Sequence, residues 1–240
     1  MWKDTAVIFT TDHGYLLGEH GYFAKNYMPD YNELMHIPMI VCHPDHTPGR
    51  IGAVTQNIDL LPTMLDIFGI PVGETANEIH GKSVMPLIDG SREKNRDYAL
   101  FGQFGKNVNM TDGHYVYMRA PVHKENQPLY IYTTMPYILG ESIGLDMMQK
   151  ETFRNIECVR LPWTDYPMLK FSTRDVRCDT TQGFNDRFPY CGESMLFDIQ
   201  KDAQEHPVCD TDLERTFCNI LKDEMKKIDS PPEQFERLGI

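Results

Sequence analysis

Residues Thr5-Ala-Val-Ile-Phe-Thr-Thr11 form an unbroken β-branched and aromatic run that stops abruptly at Asp12-His13-Gly14. A run without polar alternation predicts a strand buried on both faces. Ile37-Pro-Met-Ile-Val-Cys42 predicts a second such strand, ended by His43-Pro44-Asp45 and a Pro48-Gly49 turn. From Asn57 to Phe68 the apolar residues Ile58, Leu61, Leu65 and Phe68 recur at helical spacing, and Gly69 follows as a stop. Proline is tolerated only in a first turn, so Pro62 places the start of this helix near Asp59. Strand, polar loop, strand, helix in that order predicts an α/β layered domain.

The pattern changes after Ser91–Asp97, a charged connector, which divides the chain into expected units of residues 1–95 and 96–240. In the second unit Tyr98–Phe101, His114–Met118, Leu129–Thr134 and Ser194–Ile199 predict strands. Asp210–Lys227 predicts an amphipathic helix with Leu213, Phe217, Ile220, Leu221 and Met225 on one stripe. Together these make a small α+β subdomain with antiparallel strands and a C-terminal helix. Residues 135–190 carry many aromatics, prolines and methionines with weak periodicity, and no elements are assigned there. The residues after Pro231-Pro232 read as a tail.

Composition sets limits. With 23 Lys+Arg against 35 Asp+Glu the formal net charge is −12, which argues against a general nucleic-acid or anionic-membrane binder. No apolar run approaches the roughly 20 residues of a membrane span. Met1-Trp2-Lys3-Asp4 has no signal-peptide pattern. The six cysteines show no CxxC pair. Their default is free thiols in a reducing compartment such as the cytoplasm, although this fixes no location.

The chemistry concentrates in residues 12–25. Ligands of open α/β sheets bind beyond the carboxyl ends of strands, where Asp12 and His13 stand. A carboxylate and an imidazole can share one divalent cation if the backbone turns sharply, and Gly14 permits such a turn. His20 and Lys25 follow, interleaved with Gly18 and Gly21. A lysine beside a metal is a suitable clamp for a tetrahedral oxyanion. Each residue also has a plainer reading: Asp12 as a helix cap, His20 as a hydrogen-bonded structural residue, Lys25 as a solvated cation.

The whole string Val7-Ile-Phe-Thr-Thr-Asp-His-Gly-Tyr-Leu-Leu-Gly-Glu-His-Gly-Tyr-Phe-Ala-Lys-Asn26, followed by His36-Ile-Pro-Met-Ile-Val41, resembles the second half of the sulfatase family in the alkaline phosphatase superfamily. Asn57–Gly69 and His80–Ile88 are similar to that family's next two landmarks. Leu196-Phe-Asp-Ile-Gln-Lys-Asp202 with Glu205 is similar to its closing strand. The resemblance implies that residues 1–95 are the end of a mixed, mainly parallel sulfatase-type sheet with flanking helices. It implies that Asp12 and His13 bind the active-site divalent cation and that Lys25 contacts sulfate or phosphate oxygens. His20 matches a motif position as a catalytic or supporting residue. Asp59 and His80 match too, and read best as a helix cap and a packed loop histidine.

The family's nucleophile lies in a Cys/Ser-x-Pro/Ala-x-Arg motif, where sulfatases carry formylglycine. None of the six cysteines here has that context. The expectation is therefore the C-terminal part of a longer sulfatase, with formylglycine in the N-terminal part and no turnover by this chain alone. Ca²⁺ is the implied metal, and the implied substrate is a sulfated small molecule or glycan. Because an imidazole is softer than the oxygen ligands calcium prefers, a phosphonate monoester or phosphodiester hydrolase using Mn²⁺ or Zn²⁺ is the second reading. A non-catalytic oxyanion- or metal-binding module is the third. A sheet lacking its neighbours would expose apolar surface, which predicts self-association of the isolated chain.

Overall fold

The computed structural model describes residues 3–240 except 75–76, 136, 139–140, 143–144, 150, 174–191 and 203–205. Glu205, Cys178 and Cys191 fall outside the described residues. The first unit contains β1 (Val7–Thr10), a short hairpin of β2 (Leu16–Leu17) and β3 (Phe23–Ala24), α1 (Asn32–Met35), β4 (Met39–Cys42), α2 (Leu60–Ile67) and α3 (Met85–Ile88). β1 and β4 pair antiparallel, Val7 opposite Cys42 and Thr10 opposite Met39.

The mainly parallel arrangement expected of the sheet is not seen here: every ladder among the described residues is antiparallel. A parallel pair needs a crossover of a dozen or more residues, usually a helix, to carry the chain back across the sheet. The connection from β1 to β4, residues 11–38, is long enough for a crossover but carries only the β2–β3 hairpin, a 3-10 turn at Glu19–Gly21 and the four-residue α1, with no helix that crosses back over the sheet. Nor is β1 buried on both faces. Phe9 is 60% exposed and Ile40 of β4 is 59% exposed, so one face of the ladder presents apolar side chains outward.

The helix expected near Asp59 is present. Asn57–Asp59 forms a 3-10 turn that runs into α2, with Pro62 in the first turn. Gly69 closes it with φ 66°, and Ile70 N donates back to Leu65 O at 2.8 Å. Asp59 does more than cap. Its carboxylate is fully buried, takes both Nη groups of Arg96 at 2.6 and 2.5 Å, and also accepts from Gln56 N at 2.9 Å and Lys82 N at 2.8 Å. Gly81 lies so close that a Cβ there would sit 2.0 Å from Ile58 O. His80 meets Trp163 edge-on at 6.2 Å, as expected of a packed loop histidine.

The second unit is built on a four-stranded antiparallel sheet in the order β13-β7-β6-β5: Met195–Asp198, Tyr115–Arg119, Val108–Thr111 and Ala99–Gly102. Strand alternation splits its residues between two faces. Met110, Tyr117 and Leu196 face α6 (Thr211–Lys227) and pack on Phe217, Leu221 and Met225. Val116, Met118 and Phe197 occupy the opposite cluster, where Tyr31 from the first unit reaches them. Asp210 caps α6 by accepting from Asp212 N and Leu213 N. Between β7 and β13 lie β8 (Tyr130–Thr133), β9 (Tyr137–Ile138), β10 (Glu141–Ser142), α4 (Leu145–Met148), α5 (Glu151–Arg154), β11 (Glu157–Val159) and β12 (Met168–Ser172). β8, β12 and β11 form a three-stranded sheet.

Two parts of the sequence reading need correction. The supposed tail contains α7 (Pro232–Leu238), which begins on a proline and ends at left-handed Gly239. Its Arg237 is 2% exposed and donates to Lys106 O and Asn126 Oδ1. Residues 135–190 contain strands where none was assigned. The four described cysteines Cys42, Cys158, Cys209 and Cys218 are free thiols. Among the described residues no helix is long and apolar enough to cross a membrane.

Removing one partner of a buried ion pair leaves an uncompensated charge. Arg96→Met is therefore expected to destabilise the fold by about 3–5 kcal/mol, read as a lower midpoint in urea unfolding. A shift below about 1 kcal/mol would mean that Asp59 is held by its backbone donors alone.

Candidate active site

β1 delivers its polar terminus directly to the site. After Thr10 the chain turns through Thr11, whose hydroxyl donates to His13 O at 3.1 Å, while His13 N donates to Asp12 Oδ1 at 3.0 Å. Asp12 therefore caps its own turn rather than a helix. Gly14 is required by proximity, not by dihedral freedom. Its N–H donates to Leu34 O at 2.7 Å, and a Cβ there would lie 1.7 Å from Glu33 O. The end of β1 is thus pressed against α1.

His13 is held through both ring nitrogens. Its Nδ1 is 2.8 Å from Gly14 O. A carbonyl only accepts, so Nδ1 carries the proton and Nε2 presents a lone pair. Lys25 Nζ lies 2.7 Å from that Nε2, and Asp12 Oδ2 is 3.3 Å from it. A carboxylate oxygen, an imidazole lone pair and an ammonium thus converge at the end of β1. The hydrogen bond from its own backbone amide, helped by His13 and Thr11, holds the Asp12 carboxyl below the usual carboxylate range. It is ionised at neutral pH and open to solvent.

His20 is placed differently. It occupies a 3-10 turn with φ 54°, and its ring stacks on Tyr31 at 3.8 Å with an interplanar angle of 10°. Its Nε2 is 3.1 Å from Glu33 Oε2, and its side chain is 11% exposed. These partners tie the Gly18–Gly21 turn to α1. Sequence reasoning missed Tyr31 and Glu33 as its partners; their only signal was proximity to the Asn32–Met35 turn.

The comparisons with known proteins agree on one family. The family model "N-sulphoglucosamine sulphohydrolase, C-terminal" matches residues 18–126. Arylsulfatase K of Xenopus laevis is 42% identical over 92 residues, which are 38% of this chain and 16% of that protein. N-acetylglucosamine-6-O-sulfatase of Bacteroides thetaiotaomicron is 32% identical over 97 residues, 40% of this chain and 16% of that protein. Choline-sulfatase of Rhizobium meliloti is 28% identical over 128 residues, 52% and 25% of the two chains. The matched segment, residues 18–126, is similar to the C-terminal part of sulfatases.

The chain also shares its fold with a solved Bacteroides thetaiotaomicron structure from work on glycosaminoglycan metabolism. The TM-score is 0.54 at 19% identity, covering all of this chain and 41% of that one. The chain thus spans well under half the length of the sulfatases it matches.

The crowding at Gly14 gives a direct check. Gly14→Ala is expected to lower stability by about 3 kcal/mol or more, measured by denaturant titration. Retained stability would mean that β1 and α1 can separate at no cost.

Proposed function

We propose that this chain is the C-terminal part of a sulfatase that hydrolyses sulfate esters with a divalent metal, and that Asp12, His13 and Lys25 form one pole of its active site. The observation that carries this reading is the convergence of Asp12 Oδ2 and Lys25 Nζ on the unprotonated Nε2 of His13. The names of the relatives support the reaction class, and the short share of each relative that is matched supports a division of the site between this chain and another segment. Formylglycine would belong to that segment.

Asp12 and His13 fit a metal in kind: an ionised carboxylate and an imidazole whose tautomer is set by Gly14 O. Among the described residues no third His, Cys, Asp or Glu joins them in a cluster. The proposed sphere is completed by other donors. When bound, the metal would withdraw charge from the sulfate oxygens. The protein's own work is then clear. Gly14 O keeps the proton on Nδ1 so that Nε2 stays available. Lys25 exchanges its bond to His13 for non-bridging sulfate oxygens, stabilising their charge as the ester bond breaks. His20 supports the loop through Tyr31 and Glu33.

Ca²⁺ is the proposed metal. The imidazole donor favours a softer ion such as Mn²⁺ or Zn²⁺ and with it a phosphodiester or phosphonate ester. Assaying the full-length protein on an aryl sulfate and an aryl phosphodiester separates the two: the sulfate ester is expected to be the faster substrate, and a reversed preference would transfer the site to phosphorus chemistry. The purified 240-residue chain is expected to turn over neither.

The outward apolar face of β1 and β4, with Phe9 and Ile40, is proposed to pack against the rest of the sulfatase domain. Alone, the chain is expected to self-associate. A single monomer peak by size exclusion with light scattering would contradict this.

A further inference from the structure

The loop that carries Lys25 is gripped by side chains from the other unit. Between β5 and β6, Lys106 donates from Nζ to Asn26 O and, at 3.1 Å, to Met28 O. Gln103 Nε2 donates to Lys25 O at 3.4 Å and to Asp30 Oδ1 at 2.7 Å. Asn109 Nδ2 donates to Asp30 Oδ2 at 2.9 Å. Asp30 is 3% exposed, Lys106 9% and Asn109 0%. Burial pushes the Asp30 carboxyl above its usual range, against the pull of Lys106 and the two amides.

A buried carboxylate is costly, and the hairpin does not need it. The β5–β6 ladder is already complete through backbone pairing from Ala99 opposite Thr111 to Gly102 opposite Val108. The hairpin instead makes room for it. A Cβ at Gly102 would lie 2.9 Å from Asn107 O, 3.5 Å from Asn109 Nδ2 and 3.9 Å from Asp30 Oδ2. All three donors end on the Lys25–Asp30 segment, at its backbone carbonyls and the Asp30 carboxylate, while the Lys25 ammonium reaches His13.

We propose that Asp30, Gln103 and Lys106 form a positioning latch through which the β5–β6 hairpin fixes the backbone at Lys25 and so holds its ammonium on His13. The catalytic consequence rests on the proposed role of Lys25 as an oxyanion contact; the positioning itself does not. Gln103 and Lys106 are positioning residues, and they explain how a sheet far along the chain governs the site.

The test is trace acetylation of the 240-residue chain with acetic anhydride, with every lysine quantified by peptide mass spectrometry. Lys226 and Lys227 on α6 serve as exposed references, and Lys170, largely shielded beside Glu233, as the reporter of global opening. Asp30→Ala removes the carboxylate acceptor of the Gln103 and Asn109 amides and is expected to raise Lys25 labelling by about threefold or more relative to Lys226, with Lys170 unchanged. Asp30→Asn is expected to restore the wild-type rate. Asn109 Oδ1 has no partner, so a flipped Asn109 amide can accept from the new side-chain N–H. If Asp30→Ala opens the whole fold, Gln103→Ala decides, since it removes only the bonds to Lys25 O and Asp30. Unchanged Lys25 labelling in the folded variants, or Asp30→Asn labelled as heavily as Asp30→Ala, would overturn the latch. Lys25→Met in the full-length protein tests the oxyanion role separately: aryl-sulfate turnover that survives it would remove that role while the labelling still judged the latch.

Discussion

The bond from Gly14 N to Leu34 O at 2.7 Å is the contact on which the site depends. It closes the base of the excursion from Tyr15 to Glu33, so that the end of β1 and the start of α1 touch through bare backbone. With the base shut, the β2–β3 hairpin must fold back over the end of β1. Lys25, just past β3, then meets His13 at 2.7 Å. Only glycine at position 14 allows this approach, since a Cβ would lie 1.7 Å from Glu33 O. The same closure puts Tyr31 between His20 on one side and Phe197 of the second unit on the other.

The two units therefore act together although each has its own core. Leu16, Met28 and Leu34 pack within the loop, while the second unit packs its sheet on α6 and α7. Besides the apolar contact of Tyr31 with Phe197, polar contacts join them: the Asp30 group, the Gln56 amide on Leu100 O at 2.5 Å, and the Asp59–Arg96 pair. Polar contacts of this kind are strict about geometry where apolar ones tolerate sliding. A site divided between a strand end and a loop needs that strictness, because a displacement of about 1 Å is costly to catalysis.

Much of this was legible in the residues, for physical reasons. Val7–Thr10 and α2 are strong local patterns, with Pro62 and Gly69 marking the ends of the helix. The α6 stripe and its Asp210 cap are equally local. The Asp12, His13 and Lys25 convergence followed from a motif, and the geometry brings these three residues together. Strand direction was not legible, because an apolar run carries no information about which way its neighbour runs. β11 and β12 escaped notice because Cys158, Lys170 and their neighbours lack clear alternation. α7 has seven residues and buries an arginine, so no apolar stripe announced it, although Pro232 and Gly239 marked its ends. Asp30 and Gln103 are 73 residues apart, and no local pattern links them.

The central claim is that Asp12, His13 and Lys25 hold one pole of a metal-assisted sulfate-ester site. A crystal structure of the full-length protein with a divalent cation and a bound sulfate tests it most directly. The account predicts Asp12 carboxylate and His13 Nε2 on the same cation at about 2.0–2.6 Å, with Lys25 Nζ moved from His13 onto a sulfate oxygen. A cation bound away from Asp12 and His13, or a sulfate out of reach of Lys25, would contradict it.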